Sequence, residues 1–119
     1  MINFQKFLNS LKIALSGLKT ALKTEENFRI QALIGFIVII LMFVLGVSVL
    51  ERSILILVVF VVLSLELINS QIEKFLDLIQ PVLHPKVKII KDLSAAAVLI
   101  SVFGAIIIGI LIFFPHFFK

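Results

Sequence analysis

The chain has no cysteine, no tryptophan and no tyrosine, and only five glycines and three prolines in 119 residues. Without cysteine there is no disulfide framework, no thiol nucleophile and no Cys/His metal pattern. The glycines are scattered, so no GxxxxGK[ST] loop cradles a phosphate, and there is no HRD or DFG sequence. No Ser-His-Asp arrangement falls in a plausible pocket. Charge is also scarce: 15% of residues are charged, with a net charge of +4, which does not suggest nucleic acid. A secretory signal is not evident. The first long apolar run begins near residue 30, exceeds an h-region, and meets Glu51-Arg52 rather than a small-residue cleavage site.

What is abundant is apolar surface. Hydrophobic residues make up 61% of the chain and the mean hydropathy is +1.25. One soluble core of this size cannot hide that much, so lipid must be the solvent for much of it. The pattern implies one all-α membrane domain, with an N-terminal surface helix and three spans. Over 1–24, Phe4, Phe7, Leu8, Leu11, Leu15, Leu18 and Leu22 form an apolar stripe, and Lys6, Lys12, Lys19 and Lys23 mostly lie off it. Such a helix suits a membrane surface with anionic headgroups; the plainer alternative is a helix packed on protein. A polar junction follows at 24–31, where Thr24 is the expected helix cap with Asn27 at N3.

The first span is expected over 30–50, including 19 uncharged residues from Ala32 to Leu50. At about 1.5 Å per residue these cover the roughly 30 Å hydrocarbon core. Glu51-Arg52 reads as a tight hairpin break, followed by a second span over 53–72. Pro81 and His84-Pro85 predict a turn over 80–86. A third span covers 93–114. Within it, Ala97, Ser101, Ala105 and Gly109 form a small-residue row that admits another helix closely. Phe113, Phe114, Phe117 and Phe118 crowd its far boundary, where Trp or Tyr is commoner. Nine of eleven Lys and Arg residues lie in the N-terminal segment and the second loop. Those parts are therefore expected in the cytoplasm.

The second span ends in FVVLSLELINSQIEKFLDLIQ (60–80). On a helix, Glu66, Asn69, Ser70, Glu73 and Asp77 fall within roughly a 100° arc. Carboxylates at that depth need protein, water or a cation. Glu66 and Glu73 are about 10.5 Å apart along the axis, at nearly the same azimuth. Glu73, nearer water, suits a hard cation such as Mg²⁺, which takes one or two carboxylates plus phosphates. Glu66, deeper, is placed to take a proton from a lipid hydroxyl. Asn69 lies between them, and Lys91 offers positive charge to phosphate oxygens. Each has a bland alternative. Glu73, Lys74 and Asp77 suit a solvated helix end, and Asn69 a bridge between helices. Glu25 and Glu26 suit a helix N-terminus, His84 a turn, and Lys91-Asp92 a topology signal with a cap.

The run Glu66-Leu-Ile-Asn-Ser-Gln-Ile-Glu73 resembles the signature of the prokaryotic diacylglycerol kinase family, close to E-x-x-N-[ST]-x-[IV]-E. GLKTALKTEENFRIQ (17–31) and HPKVKIIKDLSAAAVL (84–99) are similar to two further family blocks, in the same order. The resemblance implies a homotrimeric membrane kinase, with sites between protomers, that moves the γ-phosphate of ATP to a lipid alcohol. It implies Glu66 as general base, and Glu25 and Glu73 as holders of Mg²⁺. It implies nucleotide or phosphate contacts for Glu25, Asn69, Glu73, Asp77, His84, Lys91 and Asp92, and for Lys6, which stands where some members carry arginine. Lysine lacks the bidentate fork of arginine, and a chain without Tyr or Trp stacks neither on adenine. HPxxKxxKD (84–92) looks more like the undecaprenol kinase branch of Gram-positive bacteria than the diacylglycerol branch. The implied location is the bacterial cytoplasmic membrane. The competing reading is a small helical pore or proton path gated by Glu66.

Overall fold

The computed structural model describes residues 1–79 and 84–118. Four helices follow in order: α1 (Phe4–Thr24), α2 (Glu26–Leu45), α3 (Val49–Ile79) and α4 (Pro85–Phe117). The last three are long and apolar enough to cross a membrane. Residues 80–83 of the expected 80–86 turn lie outside the described residues. His84 caps α4 and Pro85 opens it, where a proline's missing N–H costs nothing.

α1 begins at Asn3, whose side chain accepts from the Lys6 N–H at 3.1 Å. Its apolar residues Phe4, Phe7, Leu11 and Leu15 are exposed, as a surface helix requires. The following helix, α2, starts without the expected Thr24 cap. Thr24 is the last residue of α1 and its hydroxyl donates back to the Thr20 carbonyl at 2.8 Å. The corner is a single extended residue, Glu25, with no side-chain cap on α2. Arg29 closes the corner instead. Its Nη1 donates to the Leu22 and Lys23 carbonyls (3.2 and 2.8 Å), groups that a helix end leaves unpaired.

The hairpin between α2 and α3 also differs from expectation. It lies at Gly46–Ser48, not at Glu51-Arg52, so α2 stops at Leu45 rather than residue 50. Gly46 takes the left-handed conformation (φ 64°), which only glycine adopts without steric cost. α3 then opens with a reciprocal cap. The Glu51 N–H donates to Ser48 Oγ (3.1 Å), and the Ser48 N–H donates to Glu51 Oε1 (3.0 Å). This is the S-x-x-E capping box. The charged pair belongs to the first turn of α3, not to the break.

α3 and α4 run antiparallel along their length. His116 meets Glu51 at the hairpin end (3.3 Å), and Lys91 pairs with Asp77 at the other. The dry core gathers at the hairpin end around Met42, Val47, Leu55 and Ile112. α2 reaches α3 closely at Gly35, where a Cβ would stand 2.8 Å from Val59 Cγ1. Beyond that point α2, α3 and α4 enclose an apolar groove of about 520 Å³, running from Gln31 to Phe117. Ala105 and Gly109 line this groove, and a Cβ on Gly109 would meet nothing within 4 Å. At Ala105 and Gly109, therefore, the small-residue row faces this groove rather than a closely packed helix. α4 instead buries Val98 and Ile112.

At about 1.5 Å per residue, α3 and α4 exceed the hydrocarbon thickness. Their surplus length lies at the end opposite the hairpin and carries Glu73, Lys74, Asp77 and Lys86–Asp92.

Candidate active site

The polar end of the bundle is built on α3. Among the described residues, Glu66, Asn69 and Ser70 are its only buried polar residues, Glu66 keeping 4% of its surface exposed. Glu66 follows Glu51 by fifteen positions, or about 22 Å of helix. With Glu51 at one membrane boundary, Glu66 lies several ångströms inside the other, a depth at which a carboxylate needs a function or a partner. Gln31 on α2 supplies one contact, its Nε2 donating to Glu66 Oε2 at 3.3 Å. Two acceptors beside it are buried with no donor, Gln31 Oε1 and Asn69 Oδ1. Asn69 thus does not bridge to a neighbouring helix through that oxygen.

Glu73 lies two turns beyond Glu66 on nearly the same face of α3. Glu25 stands at the α1–α2 corner, on the polypeptide hinge that turns the surface helix into the first span. It is held against α3 by Lys74, whose Nζ lies 2.7 Å from Glu25 Oε1. No group of three acidic or histidine side chains closes tightly enough to cage a metal ion among the described residues. A hard cation such as Mg²⁺ takes only one or two carboxylates beside phosphate oxygens, and Glu25 and Glu73 are the side chains here that could serve one.

The other expected site residues divide. Asp77 and Lys91 are joined across α3 and α4, beyond Glu73 toward water. Asp92 is exposed and paired with Lys88 at 2.7 Å, one turn away. His84 accepts the Lys86 N–H at 3.1 Å through Nδ1, so its ring caps α4. Lys6 is not brought to the acids. It sits nineteen residues before Glu25 on a continuous helix, about 28 Å along the axis. Sequence reasoning passes over Gln31, although it carries a signal. It is the last polar residue before the uncharged run of α2, and an amide there needs a partner.

A sequence profile of the family described as prokaryotic diacylglycerol kinase matches residues 12–113. The chain belongs to that family. It is 37% identical over 110 residues to an undecaprenol kinase of Bacillus subtilis, covering 92% of this chain and 89% of that protein. It is 38% identical over 108 residues to a diacylglycerol kinase of Haemophilus influenzae, covering 89% and 92%. Against the diacylglycerol kinase of Escherichia coli it is 29% identical over 114 residues, covering 96% and 93%. The protein is thus a membrane lipid kinase, and the pore reading falls away.

Proposed function

We propose that this kinase transfers the γ-phosphate of Mg-ATP to the hydroxyl of a membrane lipid alcohol at the cytoplasmic face. The observation that carries this reading is the buried Glu66 carboxylate, hydrogen-bonded to Gln31 where that amide ends an apolar groove within the spans. A lipid alcohol with its tail in the groove presents its hydroxyl near Gln31 and Glu66. Glu66 takes the hydroxyl proton as the alcohol oxygen bonds to the γ-phosphorus. The bond from that phosphorus to the β,γ-bridging oxygen breaks, and ADP leaves with the electron pair. Such a transfer rests on positioning and charge neutralisation more than on covalent help.

Glu25 and Glu73 would hold Mg²⁺, which supplies charge neutralisation between the phosphates. Lys74 would then exchange its Glu25 contact for phosphate oxygens. Lys91, Asp77 and Asp92 lie toward water, on the side from which nucleotide arrives, with Asn69 deeper and His84 at the head of α4. Lys6 contributes only if a neighbouring protomer brings its α1 over the site, which is the arrangement a homotrimer with shared sites supplies. The cytoplasmic orientation follows from the lysines: the polar end carries nine of the eleven Lys and Arg residues.

The lipid favoured is undecaprenol over diacylglycerol. The groove walls are hydrocarbon apart from Gln31, so nothing else there donates to ester carbonyls. The test is purified protein in bilayers, given Mg-ATP with undecaprenol or with diacylglycerol, and lipid-linked phosphate counted. Faster turnover of undecaprenol is expected. Faster turnover of diacylglycerol overturns the preference, and no lipid phosphate from either overturns the reaction.

A further inference from the structure

Gln31 is an amide at the head of an otherwise uncharged apolar run on α2, facing α3. An amide at that depth is costly unless it is hydrogen-bonded. Its bond goes to Glu66, and the chemistry of the partner fixes the amide's orientation. An ionised carboxylate only accepts, so Gln31 must present Nε2 to it and turn Oε1 away. That leaves Oε1 buried without a donor. Packing alone does not favour this arrangement, because an unpaired buried acceptor costs about as much as one hydrogen bond to a charged group gains. Gln31 is also the polar residue at the end of the groove, and Glu66 follows the groove residue Val62 by about one helical turn.

We propose that Gln31 is a positioning residue for the base: its Nε2 occupies Glu66 Oε2 and commits Oε1 to the alcohol. This rests on the reading of Glu66 as general base in lipid phosphorylation. In the reaction the alcohol proton passes to Glu66 Oε1 while the alcohol oxygen bonds to the γ-phosphorus and ADP departs. The Gln31 N–H remains on Oε2 throughout and is not consumed. Without it the carboxylate is free to rotate, and the fraction of complexes with an oxygen in line falls.

The experiment compares wild type, Gln31→Met and Gln31→His in bilayers with saturating undecaprenol and Mg-ATP varied up to saturation. Methionine keeps length and loses the N–H; histidine keeps an N–H donor. Gln31→Met is expected to lower kcat about 10- to 100-fold, the loss of one hydrogen bond to a charged group. KM for ATP should hold within about twofold, because the amide is not assigned to nucleotide, and Gln31→His should recover much of kcat. Wild-type kcat in Gln31→Met overturns the inference. So does a fall in kcat accompanied by a raised KM for ATP and no recovery with histidine, which marks a purely structural role. If the wild type itself makes no lipid phosphate, the kinase reading of the site fails, and that result is separate from either.

Discussion

The two ends of the helical bundle solve opposite problems. At the hairpin end the chain is closed: Met42, Val47, Leu55 and Ile112 form a dry core, and Gly46 and Ser48 set the turn. Glu51 is satisfied there by Ser48 and His116, and the Arg52 guanidinium stacks 5.7 Å from the Phe43 ring. At the polar end the buried polar residues are Glu66, Asn69 and Ser70, with the Glu25–Lys74 ion pair beside them. Each end also buries two polar atoms without a partner, Arg52 Nε and His116 Nδ1 at the first and Gln31 Oε1 and Asn69 Oδ1 at the second. The difference is that the first end sits beside an apolar core and a capped turn, whereas the second gathers buried polar side chains on α3. On the proposed reading of Glu66, substitutions at the two ends should fail in different ways.

The largest effect belongs to the polar end. Glu66→Gln should lower lipid phosphorylation by about 100- to 10,000-fold, the contribution of a general base. Resistance to unfolding in detergent should stay level or rise, because a neutral amide replaces a buried charge. Met42→Ala should do the reverse. It should cost about 2–5 kcal/mol in a detergent or denaturant unfolding titration, with kcat of the folded fraction within about twofold of wild type. Glu73→Gln should weaken Mg-ATP binding about 10-fold or more, read from magnesium titrations of turnover. Gly35→Ala should cost about 1–3 kcal/mol by overpacking Val59, and pairing it with Val59→Ala should recover most of that. The smallest effect is Ser48→Ala, about 1 kcal/mol from a lost cap, with turnover unchanged.

Much of this contrast is legible in the amino-acid sequence. Three apolar spans and a surface helix follow from hydropathy and periodicity, because lipid leaves the backbone few alternatives to helix. The face shared by Glu66, Asn69 and Glu73 follows from helical geometry alone. What sequence reading misplaces is local. Charge stands out in an apolar chain, so Glu51-Arg52 reads as the hairpin, whereas Gly46 and the S-x-x-E box from Ser48 to Glu51 set the turn. Thr24 has the chemistry of a cap, but its hydroxyl bonds back into α1 while Arg29 reaches across to finish that helix. Gln31, Lys74 and the Asp77–Lys91 pair are matters of which helix meets which, and no spacing within one helix encodes that.

Lys6 marks where one chain stops explaining the site. About 28 Å of helix separates it from Glu25, so any role at the phosphates requires a second protomer. Mixing Lys6→Ala chains with inactive Glu66→Gln chains checks this. Activity recovered only in mixed assemblies would show that the site is shared.

The most direct measurement counts lipid-linked phosphate from wild type and Glu66→Gln in the same bilayers, with nucleotide binding recorded in each sample. The expected result is phosphorylated lipid from the wild type, and bound nucleotide with turnover at least about 100-fold lower from the variant. Turnover by Glu66→Gln within about twofold of wild type would contradict the assignment of Glu66 as the base.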